Sequence, residues 1–237
     1  FATEGVALVH NLICGALTCV GGGTGPRYTP YHMPHRTEVM GFMTVLHGDD
    51  RFYNNIFVQK WPSDDIITMH DSDDGFDTEN RAAGTWMFDE YPTYDEWISQ
   101  FDFSKPADMA KLYGAHEGKL PVWIEGNAYL GGAKPSKKDV NALISTVARE
   151  DVRVELVQKE DGYYLDTNVY ELIEGFKNRM IDSDVLGKAF EPEERFENPD
   201  GTAIRFDSDY FGTHRGVDVI PGPFADAKES VKNLVIS

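Results

Sequence analysis

Between Arg27 and Arg51 the chain gathers side chains suited to holding a polar ligand: His32, His35 and His47, the acids Glu38, Asp49 and Asp50, the cations Arg27, Arg36 and Arg51, and Tyr28 and Tyr31. They surround a single apolar strand. Ring nitrogens, hydroxyls and charge at this density describe a binding surface better than a core. Nitrogen and carboxylate ligands at such spacing suit zinc or another first-row divalent ion. Pro30 and Pro34 break the loop, however, and would leave metal-ligand geometry poorly fixed, whereas imidazoles and phenols bonding sugar hydroxyls tolerate such a loop better. The same histidines also have a plain structural role open to them, satisfying buried backbone groups in a packed loop. No metal and no cofactor is expected.

Asp49, Asp50 and Arg51 stand at a turn between two strands. The ordinary expectation there is an Asp bonded to local amides and paired with the arginine. The alternative is that Glu38 and this Asp pair flank one strand and supply two carboxylates for glycosidic cleavage. Asp71 to Asn80 (DSDDGFDTEN) has its glycine one position early and lacks the closing Glu of a calcium loop, so it reads as a solvated acidic loop. GGGTG at 21–25 lacks the lysine and helix of a phosphate loop. Trp97 and Trp123 lie in helical and strand patterns that favour core packing, which leaves Trp86, beside Gly84, as the freest indole to stack on a sugar ring.

The elements that must position these groups are mostly strands. Val6 to Cys14, Glu38 to Leu46 and Phe52 to Gln59 are short, rich in β-branched and aromatic residues, and bounded by turn residues. An Asn followed by apolar residues recurs in HNLICG, NNIFVQ and GNAYLGG, at Asn11, Asn55 and Asn127. In a parallel β-helix an Asn at a recurring corner can stack its amide into a ladder. The irregular spacing requires long excursions between rungs. The largest excursion spans 61–120. Within it Thr93 and Glu96 form a capping-box signature for a short helix, and SKPADMAKLYG predicts another. Ser136 to Val147 has helical spacing at Val140, Leu143, Ile144 and Val147 and predicts a third. Beyond it, Asp161-Gly162 and Pro199-Asp200-Gly201 predict hairpins on either side of the amphipathic ELIEGFKNRMI. The organisation expected is β-helix rungs over 1–135 and a helix and hairpin extension over 136–237 that caps the coil.

Forty acidic residues against 22 basic ones give a formal charge of −18 in a 237-residue chain that is 41% hydrophobic. That charge repels phosphate backbones and anionic lipid, so neither nucleic acid nor membrane is expected as a partner. A neutral sugar is permitted. Cys14 and Cys19 are close enough for a local disulfide, though two half-buried thiols fit the usual burial of free cysteine better. A strand starting almost at Phe1 reads as a piece of a longer protein, and the compartment stays open.

Tyr31 to Gln59 (YHMPHRTEVMGFMTVLHGDDRFYNNIFVQ) resembles the C-terminal part of the β-xylosidases of glycoside hydrolase family 120, more weakly continued through Leu120 to Pro135 and Glu197 to Phe211. The resemblance implies the C-terminal rungs of a right-handed parallel β-helix, a mainly β fold with short helical excursions and C-terminal hairpins. It implies a retaining mechanism on xylosides, xylo-oligosaccharides or related pentosides. In the family the two catalytic carboxylates lie on rungs before the matched stretch, so no acid of this chain inherits a catalytic role. The loop carrying Arg27, Tyr31, His32 and His35 becomes a wall of the sugar pocket, joined by Trp86 as a stacking candidate. His35 is expected to face the sugar and His32 to pack. The N-terminal section of the same protein, in the same or a separate chain, and self-association are the partners expected. A non-catalytic carbohydrate-binding or structural β-helix is the rival reading.

Overall fold

The structure, a computed structural model, describes residues 4–17, 28–32, 35–44, 47–60, 82–102, 104–105, 119–190, 193–226 and 231–232. It is mainly β with parallel sheets and a few short helices. In chain order the elements are β1 (Ala7–Val9), β2 (Leu12–Ile13), β3 (Tyr28–His32), β4 (Val39–Thr44), β5 (Asp50–Tyr53), β6 (Ile56–Val58), α1 (Tyr94–Ile98), β7 (Val122–Glu125), β8 (Ala128–Leu130), β9 (Leu143–Ile144), β10 (Val154–Lys159), β11 (Gly162–Thr167), α2 (Val169–Leu172), β12 (Asn178–Arg179), α3 (Ser183–Leu186), β13 (Asp218–Val219) and β14 (Val231–Lys232).

Strands β1, β5 and β7 form one parallel sheet, and β2, β6, β8 and β9 form another. Each turn of chain contributes one strand to each sheet and bends between them at a two-residue corner. The first corner residue is left-handed in all three turns: His10 (φ 58°), Asn54 (φ 54°) and Gly126 (φ 71°). The second is the recurring asparagine, and the predicted ladder is present. The Asn11 and Asn55 backbone N–H groups donate to the carboxamide oxygens of Asn55 and Asn127, both at 2.9 Å. The side-chain amides of Asn11 and Asn55 add bonds of 3.1 and 3.0 Å to the same oxygens. Asn55 and Asn127 are wholly buried. A buried amide is costly only when unpaired, and here the turn below supplies each partner. At the third corner a side chain would not fit: a Cβ on Gly126 would lie 2.6 Å from the Asn54 carboxamide oxygen.

Stacking in register places like upon like. Leu8, Phe52 and Ile124 form one inward row and Ile13, Phe57 and Tyr129 another, packed with Phe88 and Tyr91. On the outer face of the second sheet, Ile56 and Ala128 meet Val154, Val169, Tyr170 and Phe224. On that of the first, Val9 and Tyr53 meet Ile181 and Leu186, with Phe196 and Phe206 alongside. The C-terminal part of the chain therefore packs laterally along both sheets.

The helix expected over Ser136 to Val147 does not form. The chain makes a fourth turn instead: Asn141 takes the left-handed corner (φ 60°), Val140 bonds Ile124 and Gly126, and Leu143 and Ile144 pair in parallel with Ala128 and Tyr129. An open sheet edge offers a row of unpaired backbone groups. Four apolar positions do not outweigh it, particularly since Val140 and Ile144 remain 64% and 61% exposed. The helix at Thr93 does form, with the capping box complete: Thr93 N–H donates to Glu96 Oε2 at 2.7 Å and Glu96 N–H to Thr93 Oγ1 at 3.2 Å. β10 and β11 make the first predicted hairpin, Lys159 pairing with Gly162 across a two-residue turn. The second shrinks to a turn closed by one bridge, Glu197 with Ala203. The amphipathic stretch between them holds only the end of α2 before β12. Most of the helix expected in SKPADMAKLYG, the acidic loop at 71–80 and the glycine cluster at 21–25 lie outside the described residues.

Candidate functional site: a histidine hairpin and buried charges

β3 and β4 pair antiparallel, with the register shifting between Tyr31 and His32, and carry the candidate ligand-binding residues. His32 is exposed, and its Nδ1 lies 3.0 Å from the Glu38 carbonyl. A carbonyl only accepts, so Nδ1 carries a proton and is the donor in this bond. His35 sits in the left-handed region (φ 56°), and its Nε2 is 2.7 Å from Glu197 Oε1. That bond ties the hairpin to the turn at Pro199-Asp200-Gly201. Of the two imidazoles, the one expected to face a sugar is thus engaged by a protein carboxylate, and Nε2 of the one expected to pack has no bond among the described residues. Arg36 and Glu38 form an exposed pair at 3.6 Å. Tyr31 belongs to β3, and Arg27 lies outside the described residues. Trp86 is half-buried in a 3-10 turn, its indole N–H donating to Ala82 at 3.0 Å and its ring near the Lys134 ammonium.

Asp49, Asp50 and Arg51 are 1%, 1% and 2% exposed. Arg51 is the hub. Its Nε donates to the Leu186 carbonyl (2.7 Å), Nη1 to the Asp49 carbonyl (2.5 Å) and carboxylate (2.8 Å), and Nη2 to the Lys188 carbonyl (2.7 Å). Its guanidinium lies 4.3 Å from the Trp123 ring centroid and 4.7 Å from that of Phe196. Asp49 also accepts from Phe190 N–H at 2.8 Å. Burial raises the Asp49 carboxyl above the usual carboxylate range, against the pull of Arg51. Burial, reinforced by the charge of Asp49, pushes Asp50 up to about 7, and its Oδ1 has no partner among the described residues. Neither acid is free to attack or protonate a glycosidic bond: Asp50 is enclosed, and Asp49 is committed to Arg51 and the Phe190 N–H. The pairing of Asp49 with Arg51 anchors α3 and the segment after it to β5.

Sequence reasoning missed three features. Glu197, the partner of His35, had no local signal. Asp139 accepts from the Tyr129 hydroxyl (2.5 Å) and the Asn127 amide (3.1 Å), ending the ladder, and burial raises it to about 6. The stacking of Arg51 on Trp123 was obtainable: both stand three residues before a left-handed corner, and they are register partners. Cys14 is a half-buried thiol, pushed up by burial; Cys19 lies outside the described residues. Among the described residues no cluster of three or more His, Cys, Asp or Glu could hold a metal ion, and no helix is long and apolar enough to cross a membrane.

No family model matches the chain, and no curated protein matches it. A solved structure described as the complex of XylC with xylose is similar to it, at 27% identity and a TM-score of 0.72. The likeness covers 96% of this chain and 32% of XylC, so the chain spans about a third of that protein's length.

Proposed function

We propose that this chain forms the C-terminal turns of a right-handed parallel β-helix in a retaining, β-xylosidase-like glycoside hydrolase related to family 120, acting on xylosides or related pentosides. The observation that carries the reading is the likeness to XylC, a protein solved with xylose, along nearly the whole chain. The two carboxylates of a retaining mechanism, about 5 Å apart, belong on turns stacked before β1 and β2. Those strands are the outer members of their sheets. Leu8, Leu12 and Ile13 are only half-buried there, whereas Phe52, Ile56 and Phe57, their counterparts one turn on, are fully buried. A preceding turn, or a partner chain, would cover them.

The hairpin then contributes a wall of the sugar pocket. His32 accepts a bond from a sugar hydroxyl through Nε2, while His35, held by Glu197, fixes the hairpin that presents it. The test is hydrolysis of an aryl xyloside by the chain joined to its preceding turns. His32→Ala is expected to lower kcat/KM by about 1–2 kcal/mol in transition-state binding at unchanged melting temperature. The isolated 237-residue chain is expected to show no turnover. Turnover by the isolated chain, or unchanged kcat/KM in both His32→Ala and His35→Ala, would remove this reading. Saccharide binding without turnover by the joined protein would leave a carbohydrate-binding β-helix in its place.

A further inference from the structure

A cleft of about 480 Å³ opens on the outer side of the first sheet, between Trp123 and α1 on one side and the segment after α3 on the other. Its walls are Tyr94, Trp97, Trp123 and Phe190, and its floor is the Asp49 and Arg51 pair. The aromatic groups form one continuous surface: ring centroids lie 6.2 Å apart for Tyr94 and Trp97, 6.5 Å for Tyr94 and Trp123, and 5.2 Å for Trp97 and Phe190. Tyr94 is 49% exposed, so packing against its neighbours leaves about half of it open to solvent.

We infer that this cleft is a binding site for a short neutral saccharide, stacked on Tyr94 and the edge of Trp123 and hydrogen-bonded at the floor. Three observations point to that ligand class. The charged groups lining the cleft balance, Asp49 and Glu193 against Arg51 and Lys188, which favours neither an anion nor a cation. A largely apolar lining with a few fixed polar groups suits a ring that presents C–H on its face and hydroxyls at its rim, and the volume lies in the small-ligand range. Arg51 has five N–H donors in a rigid fork, and its bonds to Leu186, Asp49 and Lys188 leave one Nη2 hydrogen without a partner among the described residues. That donor, held by a buried side chain, is available to a hydroxyl or ring oxygen. Among the described residues none of β3 or β4 lines the cleft, so the site stands apart from the hairpin, and only the choice of a xylose-based probe rests on the hydrolase reading.

The experiment titrates the 237-residue chain with xylotriose, and with glucuronate as an anionic probe, following tryptophan fluorescence, because Trp97 and Trp123 both report on the cleft. Expected are a saturable change with xylotriose, none with glucuronate, at least tenfold weaker xylotriose binding in Tyr94→Ala, and recovery in Tyr94→Phe, which keeps the ring. Since Tyr94 is half exposed, its replacement is expected to leave the melting temperature unchanged. Equal binding by Tyr94→Ala and the parent chain, or no saturation with xylotriose at millimolar concentration, would overturn the site. Binding lost in His32→Ala but kept in Tyr94→Ala would also overturn it, while supporting the hairpin as the sugar contact.

Discussion

The second turn of the chain buries polar groups in two ways a few residues apart. At its corner Asn55 is enclosed as a neutral amide, and every bond it makes is repeated by Asn11 above or Asn127 below. At its start Asp49, Asp50 and Arg51 are enclosed as charges, and nothing above or below repeats them: their register neighbours are Val122 and Trp123 on one side and Ala7 on the other. A neutral amide can be stacked indefinitely because it both donates and accepts. An ion needs its own partner, and Arg51 finds one in Asp49 and the rest in carbonyls brought from α3 and the segment that follows. The corner thus specifies a stack, whereas the strand start specifies a single docking partner.

The sharpest way to break the contrast is Arg51→Met. It leaves the Asp49 charge buried and takes the side-chain donor from three carbonyls, those of Leu186, Asp49 and Lys188, for an expected loss of about 3–5 kcal/mol, read by urea unfolding. Proteolysis should then open first after α3. A loss below about 1 kcal/mol would mean that apolar packing alone seats this segment. Asn55→Ala comes next, at about 2–3 kcal/mol, because it strands the Asn11 N–H and removes the side-chain bond to the Leu8 carbonyl. Asn11→Ala, at the half-buried end of the ladder, should cost clearly less. Equal losses would deny the ladder its dependence on depth.

Asp50→Asn should be stabilising, and only at higher pH. The folded carboxyl titrates near 7 against 3.8 in the unfolded chain, so between these values the folded state holds the extra proton. Stability therefore falls as pH rises through that window. The variant should match the parent near pH 4 and exceed it by on the order of 1–3 kcal/mol at pH 8, as chemical unfolding at the two pH values will show. A pH-independent difference would refute the assignment. Smallest is Glu197→Gln, which weakens a partly exposed imidazole bond at an expected 0.2–1 kcal/mol, about the ordinary value for a surface pair.

Much of the stacked architecture could be read from the chain because its signals are local and repeated. Asn11, Asn55 and Asn127 announce themselves by the apolar residues that follow, and Thr93 with Glu96 closes a helix start within four residues. The stretch from Ser136 to Val147 misled because Val140, Leu143 and Ile144 fit two periods, and only the free edge of β8, a property of the assembled sheet, decides between them. Asn141 in fact repeats the corner signal, followed by an alanine rather than a second asparagine. Of the candidate site, the sequence pointed to the hairpin and its histidines. It assigned His35 to the sugar and His32 to packing with no signal for Glu197, the partner of His35 162 positions away. The enclosure of Asp49 and Arg51 likewise depends on Leu186, Lys188 and Phe190, which no short-range pattern connects to them.

The left-handed corners also bear on how such a chain can diversify. Asn11 and Asn55 are 44 residues apart and Asn55 and Asn127 are 72 apart, yet the pairing runs unbroken from Leu8 to Ile124. Interval length is uncoupled from register, so lengthening an excursion adds only closure entropy, about 0.6 kcal/mol for each doubling. Whole loops can be exchanged between turns as modules, so the hairpin or the excursion that carries α1 can be rewritten while the stacked interior is inherited unchanged.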